Sequence, residues 1–246
     1  MFAETTGPWI PLESNPEVLN RWANQAGLVA SQAQFEDVYG LDPDLLALVS
    51  QPVKAVVLLF PITDGYEEQR KLEDARIVAH GQHPVDPTIF WMKQTISNAC
   101  GTMGIIHALA NSDVTLAPES PLAEFIEECQ TKTPEERAKT LETTPLFAKI
   151  HSQAATTGQS AVPTDLNTNL HFTCFVKAPD PPRIEGVVTN EFARLIELDG
   201  RRAGPVDRGI CTDLLQDVAR FVKDCYVSQT ASMQFSMLSL GPPQAD

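Results

Sequence analysis

Hydrophobic positions along the chain change their spacing several times, and the changes mark out a mixture of helices and strands. Residues 53–60, VKAVVLLF, are a short β-branched apolar run ended by Pro61, which predicts a strand covered on both faces and central in a sheet. LHFTCFV from Leu170, RLIELDG from Arg194 and MQFSMLSL from Met233 read as further strands. Asn15 as a cap, Pro16 at the first helical position and Gly27 as a stop frame a helix. Asp42–Pro43 repeats that start signal before DLLALV. Residues 66–79 and 121–150 are acidic, amphipathic and helical, with a capping signature from Thr133 to Glu136. NACGTMGIIHALAN, residues 98–111, predicts a wholly apolar helix, and TDLLQDVARFVKDCYV a helix opened by Thr212. Between them, residues 151–168 lack periodicity and predict a long loop.

Composition narrows the setting. A chain of 246 residues with 43% hydrophobic composition can bury a large core, and with no repeat or linker it reads as one domain over residues 1–246. The net charge of −14 argues against nucleic acid and anionic membranes and favours a basic partner. The first residues, MFAETTGPWIPLE, lack a basic and an apolar region, and no apolar run reaches bilayer length. The expected compartment is therefore cytoplasmic, with the nucleus as a further possibility. Five scattered cysteines without a CxxC pair are expected to be free thiols.

One of these thiols stands out by position. Cys100 falls at the predicted first turn of its helix, where unpaired N–H groups and the macrodipole favour thiolate. Cys129 follows Glu127 and Glu128, and Cys225 lies late in its helix, so both settings oppose ionisation. Cys174 inside an apolar strand and Cys211 before a helix start read as small packed hydrophobes.

A nucleophilic thiol needs a base, a group that holds the base, and donors for an oxyanion. His107, seven residues along the same helix, would stand roughly 10 Å away along its axis, which is too far. His80 and His83 have an HxxH spacing in a loop and read as solvent-exposed, and His151 opens the long loop, a poor mount for a base. His171 opens a strand, which is a rigid mount. If its strand pairs antiparallel with RLIELDG so that His171 faces Asp199 and Thr173 faces Glu197, a carboxylate lies about 5 Å from the imidazole's strand position. The competing reading makes Asp199–Gly200 a plain turn and His171 a polar strand end.

The words FWMKQTISNACGTMGIIHALAN, HF at 171–172 and ELDGR at 197–201 closely resemble the ubiquitin C-terminal hydrolases, a family of cysteine proteases. WIPLESNPEVLN, DVYGLDPDLL, VVLLFPIT, TPEER and FSMLSL extend the resemblance over nearly the whole chain. It implies a papain-like α-β-α fold, with a central, mostly antiparallel sheet flanked by helices and a knotted backbone. It implies Cys100 as nucleophile, His171 as general base and acid, Asp199 as its orienting group and Gln94 as the side-chain oxyanion donor. Ala99 and Gly101 would leave room for a substrate backbone.

On the same resemblance, residues 151–168 match a crossover loop arching over the site, so that leaving groups must be small, short or unfolded. The partner is ubiquitin, through its diglycine tail and basic surface, with Glu13, Asn15 and Leu170 as candidate tail contacts and no cofactor. The other readings are a hydrolase of a ubiquitin-like modifier or a noncatalytic ubiquitin-binding protein. A helix and last strand over about 212–240 close the domain, which implies a free-standing monomer. The segment KAPDPPRIEGVVTNEF, 177–192, is longer than the family's tight turn, and it brings Asp180 forward, beside Glu197, as a competitor to Asp199.

Overall fold

The computed structural model describes residues 8–160, 165–180, 192–230 and 232–243. Its strands are β1 (Gln34–Asp37), β2 (Ala55–Pro61), β3 (Leu170–Pro179), β4 (Ala193–Leu198), β5 (Val206–Cys211) and β6 (Ser236–Gly241). They form one sheet in the order β1-β6-β2-β3-β4-β5, with every neighbouring pair antiparallel. The helices are α1 (Pro16–Ala26), α2 (Pro43–Leu46), α3 (Asp64–His80), α4 (Cys100–Ala110), α5 (Pro121–Cys129), α6 (Pro134–Thr143), α7 (Pro145–Ala155) and α8 (Leu214–Cys225).

The period of two in a strand divides the core. Ala55 and Val57 of β2 pack into one apolar cluster with α1, α4 and α7, while Val56, Leu58 and Phe60 pack into a second with α2 and α8. Helices therefore cover both faces of the sheet, and β2 is central because both of its faces have somewhere to be buried. α4 lies inside the first cluster, between the sheet and the outer helices, and is buried from Cys100 to Leu109, so it is apolar on nearly every side, with Thr102 and His107 as its buried polar residues.

Local signals act where the sequence placed them. Asn15 Oδ1 accepts from Glu17 N at 2.8 Å, and Gly27 ends α1 with φ 120°, a value that favours glycine. Thr133 and Glu136 form a reciprocal capping box on α6.

Other expectations need correction. α7 runs to Ala155, so the first part of 151–168 is helix, and His151 sits in that helix. The helix α8 is capped by Asp213, whose side chain accepts from Gln216 N, and not by Thr212. The short strands β1 and β5 were not anticipated; QFED and VDRGIC alternate too weakly to be read alone. Gly101 makes room for the protein itself, because a Cβ there would stand 3.0 Å from Leu12.

The β3–β4 register differs from the expected one by two residues. Cys174 pairs with Leu198 and Phe175 with Glu197, so Asp199 lies past the last pair and diagonal to His171. A shift of two preserves the face on which each side chain stands, so the two can still meet.

Candidate active site

α4 brings Cys100 to the sheet at the end where β3 begins. The residue is 8% exposed, and Ala99 precedes it at the cap position without supplying a side-chain acceptor. The helix's first N–H groups are thus left near the sulfur. Asn98, two residues earlier, holds a left-handed φ of 63°. Its Nδ2 donates to the carbonyls of Trp9 and Leu166, both at 2.9 Å, tying the N-terminal segment and the chain beyond residue 164 to the approach to Cys100.

His171, the second residue of β3, is buried with Nε2 2.7 Å from Asp199 Oδ1. The ring and the Phe172 backbone also act on the buried Cys100 sulfur, both favouring its ionised form. Asp199 is fully buried, and its Oδ1 also accepts the Arg201 backbone N–H at 2.8 Å. Its carbonyl accepts from Trp91 Nε1 at 3.1 Å.

Electrostatics follow from that geometry. Burial by itself would raise the Cys100 thiol, but the neighbouring His171, with the Phe172 backbone, holds it below its ordinary value. Burial would lower His171, yet the Asp199 carboxylate and the sulfur raise it to about 10. Burial opposes ionisation of Asp199 as well, and His171 overcomes it, bringing the carboxyl down to about 2. Each group favours the charged form of the next, so the site stabilises thiolate, imidazolium and carboxylate together.

Gln94 approaches from the segment before α4. Its backbone N–H donates to the Gly200 carbonyl at 2.8 Å, and its Nε2 donates to Ile96 O at 3.1 Å, which uses one of the two amide hydrogens. A Cβ at Gly200 would stand 2.9 Å from Gln94 Cβ, so only glycine admits this approach.

The remaining candidates separate cleanly. Glu13 Oε2 accepts from Ser160 N at 3.0 Å, Asn15 caps α1, and Leu170 pairs with Pro61 at the start of β3. His107 is buried between Met92 N and the Leu198 carbonyl, and burial lowers it to about 4. His151 is 2% exposed, contrary to the expectation of a mobile loop residue: it bridges Thr102 Oγ1 at 2.8 Å and the Ile10 carbonyl at 2.6 Å, and burial lowers it to about 4. His83 is no exposed accident either, since its Nε2 lies 2.6 Å from Asp180 Oδ1. Asp180 is thereby engaged away from His171, and Glu197 is occupied by Arg208 and the Tyr226 hydroxyl. The rest of the Pro-rich insertion, 181–191, lies outside the described residues. Among the described residues no cluster of His, Cys, Asp and Glu could hold a metal, and no helix is long and apolar enough to cross a membrane.

Sequence reasoning missed Trp91, Lys93 and Arg202 as supports of this site. Lys93 Nζ donates to the carbonyls of Arg201 and Arg202, at 3.1 and 2.6 Å. The basic pair following Asp199–Gly200 was the available signal, but its partners are remote in the chain.

The fold is thus an α/β one in which a doubly covered antiparallel sheet carries a buried imidazole–carboxylate pair, with a buried thiol nearby, where β3 begins and β4 ends. The model of ubiquitin carboxyl-terminal hydrolase, family 1, matches residues 9–226, and the chain belongs to that family. It is 37% identical to ubiquitin carboxyl-terminal hydrolase 3 of Arabidopsis thaliana over 236 residues, covering 94% of this chain and 93% of the relative. It is 37% identical to the human ubiquitin carboxyl-terminal hydrolase isozyme L1 over 234 residues, covering 94% and 96%. The fold also matches a crystal structure of Trichinella spiralis UCH37 bound to ubiquitin vinyl methyl ester, with TM-score 0.69 and 20% identity, over 97% of this chain and 84% of that one.

Proposed function

We propose that this protein is a cysteine-type ubiquitin C-terminal hydrolase that cleaves the bond after ubiquitin's terminal glycine. The observation that carries the reading is the buried pair of His171 and Asp199, hydrogen-bonded at 2.7 Å, with the imidazole lowering the thiol pKa of the buried Cys100. Family membership and relatives named as ubiquitin carboxyl-terminal hydrolases support it.

The chemistry follows from the charges. Cys100 Sγ, as thiolate, attacks the terminal glycine carbonyl, and the carbonyl π pair moves onto oxygen. The Cys100 backbone N–H and the Gln94 amide stabilise that oxyanion. As the tetrahedral intermediate collapses, the C–N bond breaks and His171 gives its proton to the departing amine. His171 then removes a proton from water, whose oxygen attacks the thioester, and ubiquitin leaves with a free carboxylate as the thiolate returns. Asp199 keeps the imidazole oriented and compensates its positive charge throughout, without itself taking the proton.

Substrates are small or unfolded adducts and extended precursors. The chain on both sides of residues 161–164 is tied down near the site, through Ser160 N to Glu13 and through the Leu166 carbonyl to Asn98, which favours a narrow passage for the leaving group. The test is hydrolysis of a fluorogenic ubiquitin amide by the protein and by its Cys100→Ala variant. Turnover lost in the variant supports the assignment; turnover that survives it overturns it.

A further inference from the structure

The turn from Asp199 to Arg202 serves two parts of the site at once. Asp199 points to His171, while the next residue's carbonyl receives Gln94 N at 2.8 Å. What holds the turn from behind is α3, a helix none of whose residues is buried. Such a helix cannot be attached by an apolar stripe. Apart from Tyr66 in its first turn, whose ring packs on Phe60 and Tyr226, its attachment is made by ion pairs centred on Arg202, which is 2% exposed. Arg202 Nε donates to Asp74 Oδ1 at 2.9 Å and Nη2 to Glu73 Oε2 at 2.6 Å. Glu73 in turn binds Arg208 of β5 at 2.6 Å, and Arg208 binds the buried Glu197 of β4.

We propose that Arg202, gripped by Glu73 and Asp74, is a positioning residue for hydrolysis: it fixes the turn that aims Asp199 at His171 and seats Gln94 on the Gly200 carbonyl. A buried ion pair contributes little net stability after desolvation, but it admits one geometry, and a buried guanidinium left alone is costly. Arg202 is suited to this because its planar fork meets two carboxylates on successive residues of one helix, which a lysine ammonium cannot reproduce. The turn also faces Glu67 and Arg70 of α3, which pair with Arg201 and Asp74, so neutralising one carboxylate leaves part of the lattice standing.

The inference rests on the hydrolase reading above, and the experiment separates the two. Arg202→Met, Arg202→Lys and Arg202→Gln are assayed with the fluorogenic ubiquitin amide at several pH values, alongside the unchanged protein and Cys100→Ala. Arg202→Met is expected to lower kcat by about tenfold or more, since misplacing a reacting group by about 1 Å costs up to about a hundredfold, with KM within about twofold. The pH plateau should narrow from both sides as Cys100 rises and His171 falls toward their ordinary values, and Arg202→Lys should recover part of kcat. A purely structural role would lower the melting temperature without moving the pH limbs. If Arg202→Met does not fold, Arg202→Gln, which keeps an amide donor while Glu73 and Asp74 retain Arg208 and Arg70, is judged by the same criteria. A folded variant with unchanged kcat and pH profile, or with KM alone altered, overturns the proposal. Loss of activity from the unchanged protein, or its persistence in Cys100→Ala, overturns the hydrolase reading instead.

Discussion

Gln94 and Gly200 meet backbone to backbone, the N–H of one on the carbonyl of the other at 2.8 Å. The strand turn that carries Asp199 and the segment that leads to Cys100 are therefore one unit. Gly200→Ala should fail at this contact, because a Cβ would stand 2.9 Å from Gln94 Cβ and 3.1 Å from its backbone nitrogen. A kcat lower by about tenfold or more is expected, with the protein still folded by circular dichroism. Unaltered kcat in Gly200→Ala would show that Gln94 has no part in the rate.

The pH dependence has a defined sign. Below the lowered pKa of Cys100 the sulfur is protonated and the nucleophile is lost; above about 10 His171 loses its proton and the leaving amine lacks an acid. Activity should form a plateau between these limbs. At pH 6 iodoacetamide should alkylate Cys100 ahead of Cys129, Cys174, Cys211 and Cys225, whose thiols burial pushes up. Mass spectrometry of the modified peptides reads the order directly.

His107 and His151 make stability acid-sensitive. Both are lowered to about 4 by burial, so the folded state favours their neutral forms. Their contribution is fully present above the ordinary histidine value of about 6.5 and is lost progressively as pH falls through about 4. Urea unfolding at pH 7 and at pH 4.5 should show a lower midpoint at the acid value. His151→Gln should reduce that difference while lowering stability at pH 7, because its bonds to Thr102 and Ile10 are weakened.

Asn98 supplies a test in which glycine should outperform alanine. Both variants lose the bonds to Trp9 and Leu166, but only alanine must also hold φ near 63°. Asn98→Ala should be the less stable by about 1 kcal/mol, measured by chemical denaturation. Both should speed proteolytic cutting within 156–168, where one anchor has been removed.

Several elements were legible because their signals are local. The helix from Pro16, the capping box at Thr133 and the continuous apolar run of β2 need only neighbours within a turn or a strand. β1 and β5 were not, because strands of 4 and 6 residues with mixed polarity acquire their identity from the partner they pair with. The β3–β4 register slipped by two because its connection contains a long insertion, leaving no tight turn to fix the pairing. His151 was misjudged because its helix extends into an unpatterned segment whose burial depends on the N-terminal chain.

For the site, the chain's own order of residues determined that a cysteine would open an apolar helix and a histidine would open a strand, since caps, breakers and periodicity act over a few residues. Folding alone decided that Asp199 would reach His171 diagonally, that Gly200 would receive Gln94, and that Arg202 would find Glu73 and Asp74 on a helix more than a hundred residues earlier. Contacts of that span have no periodic trace in a sequence, because they depend on which faces the two cores force together.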